Sequence, residues 1–167
     1  MIFATVGTQL PFDRLITSLE KWSLKQNVSG CFAQVGPEGK VPQHIESAAT
    51  LTPLQFAKQV ADCKVIVSHA GMGTILTALQ HCRPIIVMPR LVKFGEHRND
   101  HQLATVSNLE DREGIHVARS EDELFEKLDA IASLETGDGA SVSAEPQLLS
   151  AIGHFIMSNG ASGDTHA

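Results

Sequence analysis

The sequence predicts an α/β protein built on a doubly wound parallel sheet, and three observations carry that prediction. Apolar runs such as Ile2–Val6, Val65–Val67 and Ile85–Met88 are unbroken, which suits strands covered on both faces better than half-exposed ones. The stretches between them place apolar residues at helical spacing, so strand and helix alternate about six times. Gly7, Gly36, Gly71 and Pro89 each stop a strand at the same end. In such sheets that carboxyl edge is where ligands bind.

Taken in order, strand Ile2–Val6 ends at Gly7-Thr8-Gln9, and Pro11 suits the first turn of the next helix. In that helix Phe12, Leu15, Ile16, Leu19 and Trp22 share one face. Cys31–Val35 is a second strand, closed by the turn Gly36-Pro37-Glu38-Gly39. Lys40–Ser47 reads as loop and Ala48–Leu51 as a brief strand. Thr52-Pro53 is an N-cap and first helical position, with Leu54, Phe56, Ala57, Val60 and Ala61 facing inward. Strand Val65–Ser68 then feeds a glycine-rich turn, with a helix over Thr74–His81. Pro84 ends that helix, and strand Ile85–Met88 stops at Pro89. Arg90–Asn99 is a loop, Asp100–Asn108 a helix and Ile115–Ala118 the last strand. Ser120 with Glu123 is a capping-box pattern opening the helix Glu121–Ala132. The pattern divides the chain into a domain over 1–134, a small-residue linker over 135–145, a helix over 146–157 and a disordered tail over 158–167.

Composition narrows the function. A net charge of −6 over 167 residues argues against a nucleic-acid partner, so any anion must be held locally. Cys31, Cys63 and Cys82 are odd in number and lack CxxC spacing, which suits buried free thiols in a reducing compartment. There is no signal-peptide pattern and no run of about 18 apolar residues, so a cytoplasmic chain is expected.

The chemistry gathers on VIVSHAGMGT, Val65–Thr74. A strand, a Gly-rich turn and a helix start leave backbone N–H groups free to hold an anion, and Gly71 and Gly73 admit close approach or positive φ. A dinucleotide fingerprint fails because Leu76 stands where its third glycine belongs, and no P-loop occurs. His97 and His101 are four apart, but Arg98 stands where a metalloprotease carries glutamate and no third ligand is evident, so no metal site is expected. Arg90, Lys93, His97, Arg98 and His101 read either as an anion-binding cluster or as a solvated polar loop. His69 reads either as a satisfied core histidine or, from its place at the strand end, as a ligand group. Leu91, Val92 and Phe94 read as a partner or membrane surface, or as a locally buried loop.

Ser68-His69-Ala70-Gly71-Met72-Gly73-Thr74, then Arg83-Pro84, then Gly95-Glu96-His97 with Asn99-Asp100-His101-Gln102, resembles the glycosyltransferase family 28 C-terminal domain. Val6-Gly7-Thr8 with Pro11–Ile16 is similar to the short, split members of that family, among them the catalytic subunit of the dolichol-linked GlcNAc transferase and bacterial exopolysaccharide subunits. The resemblance implies a Rossmann-like domain equivalent to the donor-binding half of a GT-B glycosyltransferase. It implies a two-component inverting enzyme that moves a sugar from a UDP-sugar, such as UDP-GlcNAc, to a lipid-linked glycan without a metal cofactor. A membrane-associated partner would bind the acceptor and recruit this chain to the cytoplasmic membrane face. Carried over by position, Gly7, Thr8, Ser68, His69, Gly71, Met72, Gly73 and Thr74 would bind the diphosphate. Leu51, Thr52, Thr77, Arg90, Glu96, His97, Asn99, Asp100, His101 and Gln102 would meet the base, ribose or sugar. Thr77 stands where relatives often carry a ribose-binding acid. No catalytic residue is assigned, because the general base is expected from the partner. The alternative is a non-catalytic nucleotide-sugar-binding regulatory subunit.

Overall fold

The computed structural model describes residues 1–137. The expected helix over 146–157 and tail over 158–167 lie outside them, as does most of the linker. Strands β1 (Ile2–Thr5), β2 (Cys31–Gln34), β3 (Glu46–Ala48), β4 (Val65–His69), β5 (Ile85–Met88) and β6 (Ile115–Val117) form one sheet of order β3-β2-β1-β4-β5-β6. Every neighbouring pair is parallel, with Ile2 opposite both Cys31 and Val65, and Ile66 opposite Ile85.

Alternate side chains on each strand feed two cores, which is why the apolar runs are continuous. Ala4, Val65, Val67, Ile86 and Met88 join Leu15, Leu19 and Trp22 of α1 (Asp13–Lys25) and Leu124 and Leu128 of α5 (Glu121–Asp129) on one face. Phe3, Ile66, Ile85 and Val87 join the opposite face. There they meet Val60 of α2 (Pro53–Asp62), Ile75 and Leu79 of α3 (Met72–Gln80), and Val106 and Leu109 of α4 (His101–Leu109). The sheet is doubly wound as expected, and all five apolar residues predicted for the face of α1 are buried.

Several local expectations are corrected. Phe12 caps α1 with φ −142°, so Pro11 precedes the helix instead of opening it. The third strand is Glu46–Ala48, which overlaps the expected strand Ala48–Leu51 only at Ala48 and otherwise lies in the stretch read as loop, because its backbone pairs with β2 and not because its side chains are apolar. Helix α2 turns Leu54 outward, 82% exposed, along with Ala57 and Ala61. It packs through Val60, Cys63 and Phe56, whose ring meets Phe3 edge-on at 5.4 Å. The helix expected over Glu121–Ala132 stops at Asp129 and gives way to a 3₁₀ turn over Ile131–Ser133. Cys31 and Cys63 are buried free thiols, but Cys82 is exposed. The start of the linker is tied to the body, since the Glu135 carbonyl meets His116 Nε2 at 3.1 Å and Gly137 packs on Gly114.

Helix caps divide similarly. Thr52 and Gln55 form a reciprocal capping box with Pro53 in the first turn. At α5 only half the box forms: Ser120 Oγ accepts from the Glu123 N–H, while the Glu123 carboxylate accepts from Arg119 N–H. Thr52→Ala should lower the free energy of unfolding by about 1 kcal/mol in a urea titration; an unchanged midpoint would mean the box stabilises nothing.

Candidate functional site

The strand order reverses between β1 and β4, so the chain leaves these adjacent strands toward opposite faces and opens a crevice at the carboxyl edge. An open cleft of about 300 Å³ lies there. Its lining comes from the β1–α1 loop (Thr8, Gln9, Leu10), the start of α3 (Gly71, Gly73, Thr74), and Arg90, His97 and Gln102 beyond β5. Val6 and His69 complete it.

Helix α3 begins sooner than expected, only two residues after β4. Gly71 is its N-cap and offers no side-chain cap, so the N–H groups of Met72, Gly73 and Thr74 have no partner within the helix. With the helix dipole they turn a partial positive charge toward the cleft, chemistry suited to an anion. The reason for two of the loop glycines differs from the expected one. Gly71 has φ −95°, so no left-handed turn is needed there. A Cβ at Gly71 would instead overlap the His69 ring, and one at Gly7 would come within 2.7 Å of the His69 Cε1. Gly7 also needs its positive φ of 79°. His69 is thus wedged between two glycine backbones, whereas Gly73 faces open space, with nothing within 4 Å of an added Cβ.

The wedge explains the chemistry of His69. Burial holds its pKa down at about 4; the Arg90 guanidinium acts in the same sense and the Thr5 carbonyl opposes it. Its Nδ1 is buried with no hydrogen-bond partner of normal geometry among the described residues. At neutral pH the ring is uncharged, so it presents a dipole and not a cation to the cleft.

Arg90 and Gln102 build the rest of the frame. Arg90 is buried, and its Nη2 donates to the carbonyls of Val6 and Leu10, both at 2.7 Å. Its guanidinium lies 5.1 Å from the Phe12 ring centre. Burial pulls its pKa down to about 10 against the opposing pull of Glu96, so it remains charged at neutral pH. It both lines the cleft and pins the β1–α1 loop. Gln102 Oε1 accepts from the N–H groups of Ala70 (3.2 Å) and Arg90 (3.0 Å), joining the loops that follow β4 and β5. Its amide nitrogen makes no hydrogen bond among the described residues.

The expected contact residues divide accordingly. Thr8, His69, Gly71, Gly73, Thr74, Arg90, His97 and Gln102 converge on the cleft. Gly7 flanks it through His69, and Met72 contributes its N–H while its side chain packs on the core. Ser68 is buried within β4 and its hydroxyl donates to the His69 carbonyl at 2.8 Å. Glu96 does not line the cleft. It holds Arg14 through two contacts of 2.6 and 2.8 Å and accepts from Leu91 N–H at 2.9 Å. Asp100 accepts from Val92 N–H, and the Asn99 carbonyl meets His97 Nδ1, so both shape the loop. His101 is exposed at the start of α4, as are Lys93 and Arg98 beside it. Leu51 and Thr52 sit at the start of α2 outside the cleft, and the Thr77 hydroxyl donates to the Gly73 carbonyl. Val92 and Phe94 are 41% and 56% exposed, which removes the buried-loop reading for both. Val6, Gln9 and Leu10 also line the cleft, beyond the expected contact residues.

The family model of the glycosyltransferase family 28 C-terminal domain matches residues 1–145. The chain belongs to that family. No curated protein sequence matches it. Among solved structures, ALG13 in solution aligns with a TM-score of 0.57 at 16% identity, over 83% of this chain and 88% of ALG13. The glycotransferase of kitacinnamycin aligns at 0.55 and 17% identity, over 95% of this chain and 40% of that one. CalG4, the calicheamicin glycosyltransferase, aligns at 0.54 and 14% identity, over 90% and 38%. At such identities the likeness is one of fold, the Rossmann-like fold of one GT-B half. The chain spans about two fifths of the length of those last two enzymes.

His69 makes stability depend on pH in a stated direction. Its folded pKa of about 4 lies below its ordinary 6.5, so between those values the unfolded chain binds a proton that the folded chain refuses. Its contribution is complete above about pH 6.5 and is lost as pH falls toward 4. His69→Asn should flatten the fall in unfolding free energy between pH 6.5 and 5 by up to about 1.4 kcal/mol per pH unit. Equal slopes in urea titrations of the two proteins would contradict a buried neutral His69.

Proposed function

We propose that this chain is the donor-binding, catalytic subunit of a two-component inverting glycosyltransferase that moves a sugar from a UDP-sugar to a lipid-linked glycan. The observation that carries the reading is the uncapped start of α3, opening at Gly73 onto a cleft lined from one sheet edge. The diphosphate of the donor lies on the N–H groups of Met72, Gly73 and Thr74, with charged Arg90 below and neutral His69 beside it. As the glycosidic bond breaks, negative charge grows on the leaving phosphate, and these fixed dipoles stabilise it without reorganising and without a metal. The Gln102 amide and His97 reach the sugar or phosphates.

The cleft has one wall, and this chain is close in length to ALG13 while spanning only part of the other aligned enzymes. That supports a membrane-associated acceptor-binding subunit as the second wall and as the source of the general base. The acceptor then attacks from the face opposite the departing UDP, inverting the anomeric centre. Among the described residues no helix is long and apolar enough to cross a membrane. In this reading the partner brings this chain to the cytoplasmic membrane face, with exposed Val92 and Phe94 among the contacts.

Gly73→Val tests the donor cradle cleanly because its Cβ meets nothing in the fold. Calorimetry with UDP-GlcNAc and related UDP-sugars should show at least a tenfold weaker Kd, about 1.4 kcal/mol, with Tm within about 2 °C of the parent. Unchanged affinity would remove the cradle. With a membrane-anchored acceptor-binding subunit co-expressed, the parent should transfer sugar to lipid-linked glycan and the variant should not. Donor binding without transfer under any pairing would make the chain a regulatory nucleotide-sugar-binding subunit.

A further inference from the structure

The loop after β5 presents apolar side chains that the fold leaves uncovered. Val92 and Phe94 are 41% and 56% exposed. Leu10, next to the Pro11 that shares a depression with Phe94 and Gly95, is 40% exposed. Looseness is not the reason. Val92–Phe94 is a 3₁₀ turn closed by Gly95, whose φ is 69° and whose N–H donates to the Val92 carbonyl at 2.8 Å. Leu91 N–H donates to Glu96 and Val92 N–H to Asp100, while the Arg14–Glu96 pair ties the loop to α1. A braced turn that keeps such side chains in solvent beside a third marks an interaction surface.

The surrounding charge indicates the partner's chemistry. Residues 90–102 hold three basic and two acidic residues with two histidines, on a chain whose net charge is −6. Glu96 is neutralised by Arg14, and Asp100 accepts from a backbone N–H. Lys93 and Arg98 are exposed and have no carboxylate partner among the described residues. The Lys93 ammonium lies 4.9 Å from the centre of the Phe94 ring. Lysine is depleted in the dry middle of protein interfaces, so a lysine set against the main apolar anchor suits one poorly. At a bilayer its stem lies along the apolar groups while its ammonium reaches the phosphates.

We propose that Leu10, Val92 and Phe94 enter an anionic phospholipid surface, with Lys93 and Arg98 on its headgroups. The proposal deepens the membrane placement above and rests on it, making this chain itself a lipid contact. Leu10 and His97, from the same two loops, line the cleft. Contact therefore turns the cleft mouth toward the bilayer, where a lipid-linked acceptor lies.

Vesicle sedimentation tests this on the full 167-residue chain, without donor or partner protein. The chain should bind vesicles of equal parts phosphatidylcholine and phosphatidylglycerol, bind phosphatidylcholine alone far less, and release as salt rises. Phe94→Ser should lower the partition coefficient about tenfold or more, and Lys93→Glu about fivefold or more. Phe94→Trp gives a direct reading, because the one native tryptophan, Trp22, is buried: its emission should shift to the blue on anionic vesicles. No binding to anionic vesicles, equal binding to neutral ones, an unshifted emission, or parent-like binding by Phe94→Ser or Lys93→Glu would overturn the proposal. Binding that appears only with a second protein present would make the patch a protein interface and overturn it too. Calorimetry with UDP-GlcNAc separates the two readings: donor binding without vesicle binding would remove the lipid contact and leave the donor cradle standing.

Discussion

Everything at the functional edge depends on β1 lying directly against β4. Phe3, Ala4, Ile66 and Val67 are fully buried at that seam, so neither strand can shift register without exposing apolar surface on both faces. Because the winding reverses there, the β1–α1 and β4–α3 loops leave toward opposite faces and cannot close over the gap. The crevice is a consequence of topology. The side chains decide only what it is lined with.

Those side chains act mainly as braces. Arg90 fixes the β1–α1 loop through two carbonyls, Gln102 ties the ends of β4 and β5 together, and the Arg14–Glu96 pair anchors the loop after β5 to α1. Aromatic rings reinforce the last of these, with Arg14 about 5 Å from both Phe12 and Phe94. Each charged brace is partly or wholly withdrawn from water and held by hydrogen bonds, although the buried Nε of Arg90 has no partner among the described residues. A preorganised frame of this kind holds the α3 N–H groups still, which is what electrostatic stabilisation of a leaving group requires.

The sheet, its winding and the edge that carries the site were legible because continuous apolar runs and helical spacing are local signals. The face of α1 was read correctly for the same reason. What escaped were contacts between residues far apart in the chain. Glu96 looked like a ligand group because its partner Arg14 is 82 positions away. Arg90 was expected among the donor contacts and does line the cleft, but its bonds to the distant carbonyls of Val6 and Leu10 had no local signal. Strand β3 was displaced because a short edge strand is defined by backbone pairing, and α2 faced outward at Leu54 because that edge offers little to cover it. Glycine was the subtlest case: the motif was recognised, but the sequence could not say whether the missing Cβ made way for a ligand or for a neighbour.

That last distinction reaches beyond this chain. Gly7, His69 and Gly71 form a single steric unit, so any drift at one of the three constrains the other two, and they would be retained or lost as a set. Gly73 stands outside that unit and answers only to what enters the cleft. A survey that scores every glycine in such a loop as a mark of ligand contact would therefore credit interior packing with the work of recognition. Variation at the glycine that touches nothing carries the information about specificity.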